Sequence, residues 1–451
     1  MKIVNKQAIV ILLFAAFQSI QLSAQNNNNR VTLSQCLNLA LENNYQIKQA
    51  KYDEVISKAK TKEVTADVFP QVNVAAGITN NISIPVFILP GELLGKPNTT
   101  IPVEFESTYD VGGTIELSQV IFSPTLFLGI KIAKNAEELI ALKTHFTEDE
   151  LIYNVSVAFY DILHNSQQLL SIESNLNIQD SLYKKTAYKV KQDLTREIDL
   201  NRIGVNIANL EVQKKQLKTI IEEQIRYFNV LLGIPWDTQL ILDNSCLHDL
   251  NIPHHFSSDL DSYFERTELT ILQKKRDLEY LNVKAINSQY LPNISFIAAA
   301  GYQFQNEKFN LSNTDLWFDH SLIGLRISIP VFDGFRKQKQ RQKAKYEIYK
   351  IDEEIQFTRQ LINTQLTNAK KSLLVSYESI KVQKNNLQLA EKIYNQSRLL
   401  YKEELYNVTD LLYTEMVLHD AQVGYWSGVI KYKKAELDLL KAKGILNTLI
   451  K

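Results

Sequence analysis

Three ordered landmarks occur twice along this chain, and that duplication limits what it can fold into more than any other feature. Val68-Phe69-Pro70-Gln71-Val72 opens an alternating segment, and Tyr290-Leu291-Pro292-Asn293-Ile294 opens another. Gln119-Val120-Ile121-Phe122-Ser123-Pro124 closes the next such segment, as Ile329-Pro330-Val331-Phe332-Asp333-Gly334 does later. Leu231-Leu232-Gly233-Ile234 ends a long helical stretch, matched by Ala442-Lys443-Gly444-Ile445. The last two pairs are almost equally offset. The first pair is offset by more, because the first copy has a longer loop between its strands. Self-similarity on this scale means two copies of one structural unit.

Each copy reads helix, strand, loop, strand, helix, helix. The first repeat is expected over 25–232, with a helix at 31–68, strands at about 71–80 and 108–121, and helices at about 125–191 and 196–232. An insertion follows at 233–261. The second repeat is expected over 262–451, with a helix at 262–289, strands at about 293–305 and 320–331, and helices at about 335–402 and 407–446. The fold class is mainly α with a small β part.

The strands alternate. Tyr109, Val111, Ile115 and Leu117 face one way, and Thr108, Asp110, Thr114, Glu116 and Ser118 the other. In the later copy Ile323, Leu325, Ile327 and Ile329 oppose Gly324, Arg326 and Ser328. Val72, Val74 and Ile78 oppose Asn73 and Thr79, and Ile294, Phe296, Tyr302 and Phe304 oppose Ser295, Gln303 and Gln305, with Ile297 out of pattern. Period-2 alternation fits a lipid-facing barrel with a polar lumen, and also a soluble sheet over a core, the preferred reading on alternation alone. Four strands are too few to close a barrel with a lumen; three copies would supply twelve. In the barrel reading Asp110, Thr114, Glu116, Arg326 and Ser328 face the lumen, and Trp317, Phe318, Tyr302 and Phe304 suit a membrane interface.

Breakers are scarce, with 14 Gly and 10 Pro in 451 residues. From Phe335 to Tyr401 there are none. A helix there would run roughly 100 Å and must pack laterally along its length, so a coiled-coil arrangement follows. The last helix shows the seam. Leu411, Leu418, Tyr425, Tyr432 and Leu439 recur every seventh residue, and Thr414, Ala421, Gly428, Ala435 and Ala442 follow three places after each. Large and small residues alternate, which lets neighbouring helices approach closely. The first copy keeps the spacing with Leu200, Ile203, Ile207, Leu210, Leu217, Ile221 and Phe228.

Lys2 and Lys6, the apolar run Ala8 to Phe17, and Leu22-Ser23-Ala24 read as an export signal over 1–24, cut ahead of Gln25. No Cys stands directly after the cut, which argues against a lipid anchor. Beyond residue 30 no apolar window is long enough for a transmembrane helix. Lys+Arg and Asp+Glu are both 50, so net charge gives no reason to expect nucleic acid. Cys36 and Cys246 could pair in an oxidising compartment, or stand as ordinary small residues. No phosphate-cradling glycine loop, GxSxG, HExxH or CxxC occurs, so neither an enzyme nor a cofactor or metal is expected. His254-His255 reads as solvated. The loop from Ile82 to Glu106, with Pro85, Pro90, Pro97 and Pro102, fits an extracellular cap.

With these residues in hand, the chain resembles the TolC family of outer-membrane factors over nearly its whole mature length. Val31 to Tyr45 is similar to that family's first-helix signature, TLxxAxxxALxxNP, with Cys36 at the small position and Tyr45 in place of Pro. The Phe-Pro and Leu-Pro strand entries and the Pro330 to Gly334 exit are similar too. The resemblance implies a homotrimer with a twelve-stranded barrel in the outer-membrane lipid and a helical barrel in the periplasm. It also implies a periplasmic adaptor (membrane fusion) protein and an inner-membrane pump as partners in a tripartite export system, with type I secretion among its uses.

The family's hairpin tips carry a Gly-Leu step and then an Asp-Val step. Here the tips are Asp193 to Leu200 and Glu404 to Leu411. The resemblance implies adaptor docking by Asp193, Leu194, Thr195, Glu404 and Leu405, although Asp193 and Glu404 stand where the family has glycine. It implies a periplasmic gate at Asp410, with Tyr413 replacing a second carboxylate, Tyr401 matching a closing tyrosine, and Tyr406 replacing its Arg partner. Asp199 and Asp410 also fit plain negative charge at a helix start, the preferred reading for Asp199. The rival is a periplasmic coiled-coil structural or adaptor protein whose strands form a soluble domain.

Overall fold

The structure is a computed structural model that describes residues 30–95, 97–247 and 266–450. The export-signal residues and His254-His255 lie outside that range, as does the end of the 233–261 insertion. Seven α-helices and six strands are described: α1 Leu33–Asn43, α2 Tyr45–Ala66, β1 Gln71–Asn80, β2 Val86–Pro90, β3 Thr100–Glu104, β4 Tyr109–Phe122, α3 Pro124–Lys191 and α4 Glu197–Leu232. Then follow α5 Thr267–Ser288, β5 Asn293–Asn306, β6 Trp317–Ser328, α6 Arg336–Lys402 and α7 Val408–Lys443. The long helices come in matched lengths, 68 and 67 residues for α3 and α6, and 36 each for α4 and α7. The chain divides into two compact units, one of Met1–Lys48, Thr147–Phe264 and Asn363–Lys451, the other of Gln49–Phe146 and Glu265–Ile362.

The first unit is helical, and its main core joins α1, α3, α4 and α7 through Cys36, Leu37, Ile152, Val155, Phe159, Phe228, Val429 and Leu437. Thr32 starts α1 with a reciprocal capping box to Gln35. The expected single helix over 31–68 is two helices, broken at Asn44. Asn44 turns extended, donates through Nδ2 to the Leu231 carbonyl at 2.8 Å, and accepts from the Gln46 amide at 2.7 Å. It thereby caps α2 and leaves Tyr45 as that helix's first residue. That is the place where proline is tolerated best, which accounts for the family's Pro there. Gly233 presses on this break, because a Cβ on it would lie 2.4 Å from the Asn43 carbonyl carbon and oxygen. In the described part of the insertion, Ile241 and Asp243 bond the backbone of Val31. Cys36 and Cys246 are both free thiols, Cys36 fully buried and Cys246 packed beside the same core.

The second unit holds the sheet. Its strands run antiparallel in the order β1-β4-β5-β6, so the β4–β5 ladder joins the first-copy pair to the second-copy pair. Two strand expectations need correction. The last strand, expected at 320–331, runs Trp317–Ser328. Pro330 has no N–H to extend a ladder, and Trp317 and Phe318 add pairs at the other end. The 82–106 segment is not simply loop, because β2 and β3 pair within it as an antiparallel hairpin. Pro90 and Pro102 sit in that hairpin, where a two-stranded ribbon has only edge strands to accommodate them.

Candidate functional site

The sheet register sorts the side chains into two faces. Thr114 lies opposite Gly301, which lies opposite His320, and Asp110 lies opposite Gln305. Continuing those rows, Asp110, Thr114, Glu116, Arg326 and Ser328 share one face with Asn73, Thr79, Gln303 and His320. Asp110 accepts from Gln303 at 2.8 Å and from Gln305 at 3.3 Å, and Thr114 Oγ1 is 3.3 Å from a His320 ring nitrogen. Gly301 is required in this row, since a Cβ would meet the Gly113 oxygen at 2.5 Å. The opposite face carries Val72, Val74, Ile78, Ile115, Leu117, Phe296, Ile323, Leu325 and Ile327. Many of these are largely exposed. At its loop end Phe304 stacks on Trp317 and Tyr109 on Phe309, a cluster of aromatic rings. Ile297, out of pattern in the sequence, sits on the polar face.

The hairpin tips lie in the helical unit. At the end of α3, the Asp193 amide donates to the Val190 carbonyl at 3.0 Å and the Leu194 amide to Lys189 at 2.9 Å. At the end of α6, Glu404 and Leu405 bond Tyr401 and Leu400 in the same way, at 3.2 and 2.9 Å. These are Schellman caps, whose residue after the helix adopts a left-handed backbone and is usually glycine. Asp193 and Glu404 adopt it at φ 55° and 62°. Leu194 and Leu405 project into solvent, 67 % and 72 % exposed.

Tyr401 packs half-buried against a core of Leu182, Ile203, Tyr394, Val408 and Leu411, with the Lys189 ammonium 6.0 Å above its ring. Tyr406 and Tyr413 are exposed. Asp410 lies in the first turn of α7, where its amide is capped by the Asn407 side chain at 2.9 Å. Asp199 lies in the first turn of α4 and pairs with Arg202 at 3.6 Å.

Two contacts that no local sequence signal marks tie one tip to the other. Lys189 pairs with Glu404 at 2.8 Å, and Arg202 donates to Thr409 at 2.7 Å. The first bond raises the Lys189 pKa and lowers that of Glu404. Sequence reading also missed a second apolar stripe beside the packed heptad seams. Ile198, Val205 and Val212 on α4, and Val375, Val382 and Leu389 on α6, recur every seventh residue and are exposed.

No family model matches the chain. It is 19 % identical over 437 residues to the outer membrane protein TolC of Salmonella enteritidis, covering 92 % of this chain and 84 % of that protein. Among solved structures it is similar to the Campylobacter jejuni CmeC outer membrane channel, with a TM-score of 0.73 at 15 % identity, covering 91 % of this chain and 85 % of that one. The outer membrane protein VceC of Vibrio cholerae gives 0.71 at 14 %, covering 91 % and 96 %.

Proposed function

We propose that the chain is a channel of the TolC family of outer-membrane factors and that three copies assemble into a continuous export duct. The observation that carries the reading is the sheet. It has one apolar and one polar face, and its outer strands β1 and β6 have no further strand beside them among the described residues. A four-stranded sheet cannot close on itself, and in lipid an open edge leaves backbone groups unsatisfied. Pairing β6 of one copy with β1 of the next removes every edge and gives twelve strands, with the apolar face toward lipid and Asp110, Thr114, Glu116, Arg326 and Ser328 toward the lumen.

The exposed stripes on α4 and α6 support the same arrangement along the helices. Each is a coiled-coil seam with no partner among the described residues. The periplasmic end is then formed by the tips. Asp410 with Tyr401, Tyr406 and Tyr413 lines the gate, and three copies of the exposed Asp410 would favour cations over anions there. The projecting Leu194 and Leu405, with Asp193, Thr195 and Glu404, supply the surface for a periplasmic adaptor, through which an inner-membrane pump delivers its cargo.

Membrane fractionation followed by cross-linking in mild detergent tests this. A trimer in the outer-membrane fraction is expected. A soluble monomer would overturn the duct and favour the periplasmic adaptor reading.

A further inference from the structure

The two hairpins, α3–α4 and α6–α7, have apolar cores. Ile172 and Leu176 meet Leu210 and Leu217 in the first, and Leu366, Leu373 and Ile380 meet Tyr432, Ala435 and Leu439 in the second. Between the hairpins, α3 meets α7 through the main apolar core and, beside it, a line of polar rungs. Within the helical unit these are Glu150–Lys441 at 2.7 Å, Tyr153–Asp438 at 2.8 Å, Asp161–Lys434 at 2.5 Å, Ser171–Gln422 at 2.8 Å, and Gln179 with Glu415. The outer rungs are partly solvated. The last is not, since Gln179 is fully buried and Glu415 is 4 % exposed.

In that last rung the Gln179 amide Nε2 donates to Glu415 Oε2. The remaining oxygens, Gln179 Oε1 and Glu415 Oε1, are both buried without a hydrogen-bond partner. Two orphaned acceptors on adjoining side chains are costly, and one proton on the Glu415 carboxyl supplies the donor that Gln179 Oε1 lacks. Among the described residues no ion pair holds the ionised form of Glu415. From α6 the facing titratable group is the Tyr394 phenol, with Arg398 acting on that phenol. From α4 the adjoining core receives Ile203 and Ile207. On α7 itself His419 lies one turn on, engaged with Ser171 at 3.2 Å, and burial holds its pKa down.

We propose that Glu415 and Gln179 form a proton-operated latch between the two hairpins, closed while the carboxyl carries its proton and released when that proton leaves to solvent. Ionisation puts an uncompensated charge into the seam beside the tips, and the cheapest relief is to part α3 from α7 there and admit water. The apolar clusters within each hairpin keep it intact, so the movement is of one hairpin against the other, worked locally against the cluster of Leu182, Ile203, Tyr394, Val408 and Leu411 that also bridges them. Burial pushes the Glu415 carboxyl up to about 8. The carboxyl therefore goes from mainly protonated in neutral surroundings to mainly ionised in alkaline ones. The latch would make the closed tips tighter in neutral than in alkaline surroundings.

Its reading as a gate element rests on the duct proposal, so the test has two arms. In hydrogen exchange, corrected for the intrinsic effect of pH, protection of residues 408–420 is expected to fall severalfold between pH 7 and pH 9, while residues 429–443 are unchanged. The neutral Glu415→Gln chain is expected to show no such fall. In planar bilayers, conductance of the assembled protein is expected to rise severalfold over the same interval, and to stay low in Glu415→Gln. Infrared difference spectra of the unmodified protein supply a check needing no substitution, a protonated-carboxyl band at pH 7 that is lost by pH 9. Unchanged protection, or a pH step that persists in Glu415→Gln, overturns the latch. Absence of conductance at every pH from membrane-inserted protein, with the exchange result intact, overturns the duct and leaves the latch standing.

Discussion

Asp193 and Glu404 occupy the same place in two different turns, each the second residue past a long helix, and each left-handed at φ 55° and 62°. Gly233 and Gly444, after α4 and α7, fill the matching caps at φ 71° and 73°. The acids are disfavoured twice, since a side chain in this backbone region is strained and a negative charge sits badly at a helix C-terminus. Asp193→Gly is therefore expected to stabilise the protein by roughly 0.5–1 kcal/mol, and Asp193→Val to destabilise it by a similar amount. Thermal melting of the two variants checks this. Equal melting temperatures would show that the turn tolerates its acid without strain.

At Gly233 the constraint is steric as well as conformational. Gly233→Ala would drive a methyl group into the Asn43–Asn44 backbone. A loss of more than about 2 kcal/mol is expected, above the left-handed penalty alone. Denaturant midpoints for this variant, with Gly444→Ala beside it, measure the cost.

The bonds between tips should govern closure. Removing both with Lys189→Ala and Arg202→Ala is expected to raise conductance more than either substitution alone, and raising salt to weaken the Lys189–Glu404 share. The pair has a defined acid side too. The folded Glu404 pKa lies below its ordinary value, so its contribution is present above that value and lost as pH falls through the lowered one. Bilayer recordings across salt and acidic pH read both effects, and a salt-insensitive double variant alongside an equally salt-insensitive parent would remove the pair from the gate.

Asp410→Ala is expected to raise conductance and weaken cation preference. Asn407→Ala, which removes the cap from α7 without touching the charge, should cost about 1 kcal/mol of local stability while keeping ion preference. Unchanged selectivity in Asp410→Ala would leave Asp410 as a helix-start charge alone.

The Glu415 carboxyl also predicts a stability profile. Its folded pKa is raised, so folding is favoured below the ordinary value near 4.5 and loses ground as pH rises toward about 8. Glu415→Gln should flatten that decline in melting temperature.

Much of this fold is legible in the sequence because its elements are long and strongly periodic. The strand faces follow from alternation alone, and the helices from the scarcity of breakers. What escaped is local or distant. The break at Asn44 had a signal, since Tyr45 stands where proline would start a helix, but Asn44 sits inside an otherwise continuous helical pattern. The hairpin at β2 and β3 alternates through Phe87, Leu89, Ile101 and Val103, and its three prolines, Pro90, Pro97 and Pro102, disguised it. Lys189–Glu404 and Gln179–Glu415 join residues 215 and 236 apart. Nothing in either neighbourhood announces its partner.

The unpaired margins of β1 and β6 set a problem of timing. A lone copy carries, among its described residues, two rows of open backbone donors and acceptors beside an apolar face, and any extended chain it meets can add to them. Correct assembly competes with that encounter. If three copies assemble as proposed, finding two partners depends steeply on concentration, and scarce protomers would spend longest at risk. Expression level, escort by chaperones and speed of membrane entry therefore belong to the folding of this protein as much as its core does.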